Sequence, residues 1–155
     1  MDALTAGQPA PPFRLPELDG EAVVPDPAGR RLVLMFFQEA GTPTCTTQVQ
    51  SLAQEGELLA ELGAEAIFIS TDPLARLQEF ARELPPDARL ASDADGAVAR
   101  AYGVYDESGR RARRAAFVVE ADGTIGLALP WYNPLNSEQL AQLFAALGLD
   151  AEAGA

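Results

Sequence analysis

Apolar residues occur in two patterns along this chain, as short uninterrupted runs and as positions spaced by three or four residues. Residues 31–37, RLVLMFF, form an uninterrupted run, and residues 64–70, AEAIFIS, contain a second one. Uninterrupted apolar runs of this length predict strands that are covered on both faces of a sheet. We therefore expect residues 31–37 to form a central strand.

Helical spacing follows each of these two strands. After the first strand, an amphipathic helix of about five turns is predicted to end at Gly63. Its apolar face consists of Val49, Leu52, Leu58, Leu59 and Leu62. After the second strand, Asp72-Pro73 predicts the start of another helix. The apolar face of that helix consists of Leu74, Leu77, Phe80, Ala81 and Leu84.

Turn residues predict two hairpins. In the first, an extended strand within residues 7–16 leads through Leu18-Asp19-Gly20 to a strand over residues 21–24. In the second, a strand over residues 114–119 and its partner over 125–129 are joined by an Asp-Gly turn.

Two more helices complete the pattern. One is predicted over residues 95–102 with Ser92 or Asp93 as its cap, and the last over residues 138–147 with Ser137 as its cap. Two strand-helix-strand units, a hairpin and a final helix predict an α/β fold with a mixed central sheet flanked by helices and an N-terminal β-hairpin.

The single cysteine lies where the central strand meets the first helix. Thr42 is the predicted N-cap and Pro43 suits the first helical position, so Cys45 falls in the first turn. Unpaired N–H groups and the positive end of the helix dipole favour the thiolate there, and the thiolate is the nucleophilic form. The structural alternative is a buried, unreactive thiol, because a lone cysteine is often a small core residue. The strand, cap and helix start favour the reactive interpretation.

Composition limits what this nucleophile can do. The 155 residues include one cysteine, no histidine and no lysine, so all 11 basic residues are arginines. Without histidine there is no Cys–His hydrolase, and a single cysteine supplies neither a Cys-x-x-Cys dithiol nor a zinc site, so no metal and no cofactor are predicted. What remains is a thiolate stabilised by a helix terminus and an arginine.

Length indicates how many domains the chain forms, and net charge excludes two classes of binding partner. The length suits one domain over residues 1–150, followed by a short tail, 151–155, predicted to be disordered. A net charge of -12 predicts a protein repelled by nucleic acid and by anionic membranes. A single cysteine and the lack of any apolar run long enough to span a bilayer favour a cytoplasmic location.

The run Thr-Pro-x-Cys-Thr-x-Gln at 42–48 resembles the active-site signature of the peroxiredoxins, also called the alkyl hydroperoxide reductase and thiol-specific antioxidant family. It is most similar to the bacterioferritin comigratory protein (Q type) subfamily. Residues 7–20, 92–104 and 114–119 resemble the opening strand, third helix and arginine strand of that family, in the same order. The resemblance implies a thioredoxin-like fold and a thiol peroxidase.

The resemblance also implies roles for individual residues. Cys45 corresponds to the peroxidatic cysteine, which becomes a sulfenic acid. Thr42 corresponds to the threonine that hydrogen-bonds the thiolate and the peroxide, and Arg114 to the arginine that stabilises the thiolate and polarises the O–O bond. Gln48, one turn after the cysteine, is a candidate for orienting that arginine. Pro43 is part of the same signature.

Two positions depart from the family pattern. Gln38 stands where the family has a proline that shields the thiolate, and the adjacent Glu39 is expected to disfavour the thiolate by like-charge repulsion. Gln50 stands where much of the subfamily has a resolving cysteine. Turnover is therefore expected to follow a one-Cys mechanism, in which an external thiol condenses with the sulfenic acid and a second thiol releases the protein.

The sequence thus favours a monomeric or homodimeric peroxidase that reduces hydrogen peroxide or organic hydroperoxides. Its second substrate is expected to be a thioredoxin-like protein or a low-molecular-weight thiol. The alternative is a peroxide-responsive redox sensor or interaction protein with weak turnover, which Gln38 favours. The basic cluster at 110–114 is interpreted as a solvated turn except for Arg114, and Trp131-Tyr132-Asn133-Pro134 as a structural loop in preference to a binding rim.

Overall fold

Residues 3–149 are described by the computed structural model, and they form nine strands and five α-helices. The strands are β1 (Phe13–Glu17), β2 (Gly20–Val24), β3 (Arg31–Phe36), β4 (Ala64–Ser70), β5 (Arg89–Ser92), β6 (Tyr105–Asp106), β7 (Arg111–Ala112), β8 (Ala115–Val119) and β9 (Ile125–Leu129). The helices are α1 (Pro43–Ala53), α2 (Gly56–Glu61), α3 (Leu74–Phe80), α4 (Ala97–Ala101) and α5 (Ser137–Ala146). The predicted tail, 151–155, lies outside the described residues.

Seven of the strands form one mixed sheet in the order β2-β1-β5-β4-β3-β8-β9. Strand β3 pairs in parallel with β4, which pairs in parallel with β5, whereas β8 lies antiparallel to β3. The N-terminal hairpin pairs Phe13 with Val24 and joins the sheet through Glu17 and Ala91. The predicted mixed sheet with an N-terminal hairpin is confirmed.

The sheet is covered on both faces, as the apolar run at 31–37 predicted. Residues 32–37 are almost completely buried, and they alternate between two core clusters. Val33, Met35 and Phe37 pack with α1, α2, α3 and α5, and Leu34 and Phe36 pack on the opposite face with α4. Successive side chains of a strand point to opposite faces, so one run supplies both cores.

The predicted five-turn helix is wrong in one respect, because it is two helices. Helix α1 ends at Ala53 and α2 begins at Gly56. Glycine lowers helix propensity, and the apolar positions continue across the break, so the periodicity alone did not reveal it. The final helix begins one residue earlier than predicted, with Asn136 as N-cap accepting a hydrogen bond from Glu138 N.

Helix α4 is shorter than the predicted 95–102, and its N-cap is Gly96 in place of Ser92 or Asp93. Asp93 nevertheless bonds the first turn of α4, and its environment predicts a pH effect on stability. The carboxylate accepts hydrogen bonds from the backbone N–H groups of Val98 and Ala99, at 3.1 and 2.9 Å. Burial raises the pKa of Asp93 above its ordinary 3.8, although these two N–H groups oppose the shift. The native state therefore holds this proton to higher pH than the unfolded chain does. This group's contribution to stability is present below pH 3.8 and falls as pH rises through the raised value.

The substitution Asp93→Asn separates the pH dependence that Asp93 contributes to stability from the pH dependence contributed by the other carboxylates. As pH rises above 3.8, the free energy of unfolding of the wild-type protein minus that of Asp93→Asn is expected to decrease. Urea denaturation at several pH values measures it. A difference that increases with pH would contradict the assigned direction.

Among residues 3–149, no helix has the length and apolar content needed to cross a membrane.

Candidate active site

The candidate site is built on the loop that carries the chain from β3 into α1. The N–H of Phe37 still donates to Ile69 O of β4, at 3.0 Å, so the loop begins immediately after the sheet. The N–H of Ala40 donates to Asp72 Oδ2 at 2.9 Å, and Gly41 has a φ of +87°, which glycine adopts without strain. The hydrogen bond from Ala40 to Asp72 thus connects the loop to the segment that follows β4, before α1 begins.

Thr42 is the N-cap of α1, as predicted, and Pro43 occupies the first helical position. The Thr42 side chain does not cap the helix. Its hydroxyl donates to Glu39 O at 3.0 Å, and the carbonyl of Thr42 accepts from both the N–H and the hydroxyl of Thr46. Because the hydroxyl proton is committed to a carbonyl, the oxygen of Thr42 is left as an acceptor.

Cys45 lies in the first turn of α1, at the third helical position, and its side chain is completely buried. It belongs to the core cluster that also contains Phe37, Ala40, Phe80 and Tyr132. The thiol is free. With no exposed area, the sulfur is contacted by neither a peroxide nor a thiol until the surrounding segment moves, and a bulkier reactant requires the larger movement.

Gln48 is buried one turn beyond the cysteine and points to the end of the sheet. Its Nε2 donates to Phe36 O at 3.0 Å, whereas its Oε1 has no hydrogen-bond partner among the described residues. The expected hydrogen bond from Gln48 to Arg114 is not formed. In this structure Gln48 fastens α1 to β3.

Arg114 lies one residue before β8, and not within it as predicted. Its neighbour Ala115 pairs with Phe36, so Arg114 is at the same edge of the sheet as the β3–α1 loop. Its carbonyl accepts from the N–H of Tyr132, at 2.9 Å. Its Nε is buried and, within the described part of the chain, has no hydrogen-bond partner. Buried polar groups are normally paired, so this donor is free for a ligand.

The other arginines of the basic cluster differ from Arg114. Arg110 is exposed, as expected of a solvated turn. Arg113 lies 4.0 Å from the ring centre of Trp131 and donates from Nε to Pro130 O. Trp131 is 70% exposed, and Tyr132 beside it is buried. The buried Tyr132 fits the interpretation of residues 131–134 as a structural loop. Trp131 does not pack into the core.

Arg111 is not part of a solvated turn but lies in β7, in a hairpin with β6 that the sequence did not predict. Its Nη1 is 3.2 Å from Glu39 Oε2. Arg76 of α3 lies 3.6 Å from the other oxygen of the same carboxylate. Glu39 therefore meets two arginines from distant parts of the chain, and Gln38 is half-buried directly before it. No local sequence signal pointed to these pairs.

Within residues 3–149, no three His, Cys, Asp or Glu side chains are grouped closely enough to hold a metal ion. What the site offers is a buried sulfur, a hydroxyl acceptor and an unpaired guanidinium donor at one edge of the sheet.

Comparison with known proteins places the chain in a family. Residues 6–128 match the model of the AhpC/TSA family. The chain is 36% identical over 132 residues to peroxiredoxin Bcp of Escherichia coli, covering 81% of this chain and 85% of that protein. It is 35% identical over 132 residues to a putative peroxiredoxin of Mycobacterium tuberculosis, covering 81% and 84%. The crystal structure of peroxidoxin BcpB from the same organism matches with a TM-score of 0.80 and 27% identity, covering 93% of this chain and 96% of that one.

Proposed function

The chain belongs to the AhpC/TSA family and is a peroxiredoxin, a thiol peroxidase, and we propose that it works through Cys45 alone by a one-Cys mechanism. The observation that carries the proposal is the position of Cys45, the single cysteine of the chain, in the first turn of α1. A helix N-terminus favours the thiolate, and no second cysteine is present to resolve the oxidised product.

In the first step, the Cys45 thiolate attacks the terminal oxygen of the peroxide. A sulfur–oxygen bond forms, the O–O bond breaks, and the leaving alkoxide or hydroxide takes up from solvent the proton that the thiol had released, so that it departs as alcohol or water. Cys45 is oxidised to a sulfenic acid and the peroxide is reduced. Thr42, whose own proton is held by Glu39 O, accepts the hydrogen bond of the peroxide O–H. The free Nε of Arg114 donates to the oxygen on which charge develops.

In the second step, an external thiol reduces the sulfenic acid. Its sulfur forms a disulfide with Cys45 and water leaves, and a second thiol then breaks this disulfide to regenerate the thiol and release the oxidised reductant. Because Cys45 is completely buried, the reductant must displace part of the β3–α1 loop. A small thiol or a thioredoxin-like protein fits this requirement.

A redox sensor that shares the first step is the second candidate. The burial of Cys45 favours it, because a sulfenic acid that is shielded from thiols persists as a signal. The two functions differ in the rate of the second step relative to the first. We assign the peroxidase, in a cytoplasmic protein that is a monomer or a homodimer.

Rapid oxidation of the reduced protein is the expected result of the direct test. One equivalent of hydrogen peroxide is added, and the sulfenic acid on Cys45 is trapped with dimedone and followed by intact mass. Oxidation is expected to exceed that of free cysteine by at least about a hundredfold, since a fixed arginine and helix terminus act on the leaving oxygen. A rate equal to that of free cysteine would reject both the peroxidase and the sensor. Added thiol then separates these two by the speed of recovery.

A further inference from the structure

We propose that Glu39 is a positioning residue, which holds the β3–α1 loop in the geometry that the oxidation of Cys45 requires. The inference rests on the proposed function of Cys45 and adds a residue to it. Glu39 does not touch the reacting atoms in this proposal. It acts through Thr42 and through the backbone of the loop.

The carboxylate of Glu39 is held from two sides. Its Oε1 lies 3.6 Å from Arg76 Nη2 and its Oε2 lies 3.2 Å from Arg111 Nη1. Arg76 belongs to α3, and Arg111 belongs to the β6–β7 hairpin. Each oxygen therefore contacts a different element of the fold, so the position of the side chain is fixed along more than one direction.

The backbone of Glu39 connects this ion pair to the site. Its carbonyl accepts the hydrogen bond of Thr42 Oγ1, at 3.0 Å. The next N–H, that of Ala40, donates to Asp72 Oδ2, and Asp72 Oδ2 also accepts from Ser70 Oγ at 2.7 Å. A shift of Glu39 would therefore move the carbonyl that orients the Thr42 hydroxyl and would pull on the Ala40 hydrogen bond.

The ion pairs are half-exposed, which limits their contribution to overall stability. The side chains of Glu39, Arg76 and Arg111 are 40, 52 and 38% exposed. Exposed pairs contribute little to the free energy of unfolding, because solvent screens them and ordering the side chains costs entropy. Their effect is therefore expected in the local position of the loop and in the rate of oxidation, with little change in global stability.

A direct charge effect predicts the opposite sign. If the carboxylate mainly repelled the thiolate, its removal would favour the thiolate and speed the oxidation. The two arginines beside Glu39 offset that repulsion. The direction of the change in rate therefore distinguishes positioning from repulsion.

The test compares Glu39→Gln with Glu21→Gln in single-turnover experiments on the full chain. Glu21 is a matched control, because it pairs with Arg14 at 3.7 Å on the exposed N-terminal hairpin. Oxidation by hydrogen peroxide is expected to slow about fivefold in Glu39→Gln, as the loss of two weak pairs implies. Reduction of the preformed sulfenic acid by 2-mercaptoethanol is expected not to slow, since the larger thiol requires a larger movement of the loop than the entry of peroxide does. Glu21→Gln is expected to keep both wild-type rates.

Two more measurements test whether Glu39 acts by positioning the loop. Amide hydrogen exchange is expected to quicken at Ala40 and Thr46 in Glu39→Gln, with the unfolding midpoint unchanged. In the Arg76→Gln/Arg111→Gln background, Glu39→Gln is expected to have no further effect on oxidation. Unchanged or faster oxidation in Glu39→Gln, or equal slowing of both steps, would overturn the inference. Wild-type protein that resists peroxide would instead overturn the proposed function, and the inference with it.

Discussion

Cys45→Ser is expected to reduce the rate of peroxide consumption to that of buffer alone. The serine hydroxyl stays protonated at neutral pH, so no anionic nucleophile remains at this position. The chain has no other cysteine to replace it. The loss of hydrogen peroxide is followed with dithiothreitol in excess, at equal concentrations of the wild-type and variant proteins.

Cys45→Ala is the second variant, because it tests the completely buried position without any hydroxyl at all. Alanine carries no nucleophilic atom and is therefore expected to be equally inactive. Peroxide consumption above the buffer rate in either folded variant would show that Cys45 is not the nucleophile.

The position of Cys45 could be predicted from the sequence because the signals that determine it are local. A continuous apolar run predicts a covered strand, and Thr42-Pro43 predicts where the next helix begins. Cap and first-turn geometry extend over only a few residues, so they fix Cys45 at the third helical position without any knowledge of the remaining fold. The start of α1 is accordingly as predicted, and β3 ends one residue before the predicted end, at Phe36.

The contacts that complete the site could not be predicted in the same way. The partners of Glu39 come from α3 and from a two-residue strand, β7, and only the folded topology brings them together. Gln48 was expected to meet Arg114, but the carbonyl of Phe36 lies within reach of its amide and accepts the hydrogen bond. A spacing of one helical turn shows which face a side chain occupies, and it does not show which acceptor lies opposite.

Arg114→Ala is expected to slow the oxidation of Cys45 by about 10²–10³-fold, the usual cost of removing one fixed donor to a developing oxyanion. The Nε of Arg114 is buried without a partner in residues 3–149, so the donor is free for the peroxide and its removal breaks no hydrogen bond of that atom. The carbonyl of Arg114 that accepts the hydrogen bond from the Tyr132 N–H belongs to the backbone, so the substitution to alanine retains this hydrogen bond. The fold is therefore expected to persist, which circular dichroism and urea denaturation would verify alongside stopped-flow measurement of the oxidation.

Arg110→Gln is the matched control for charge, because it removes one positive charge from the same basic cluster at an exposed position. It is expected to leave the oxidation rate within about twofold of wild type, since exposed charges are screened by solvent. Arg114→Lys tests geometry, because lysine keeps the charge and lacks the planar set of donors, and it is expected to restore only part of the rate. Equal slowing in Arg114→Ala and Arg110→Gln would mean that only net charge matters, and faster oxidation in Arg114→Ala would reject the assigned role. Slowing confined to position 114 would place the guanidinium at the reacting oxygens.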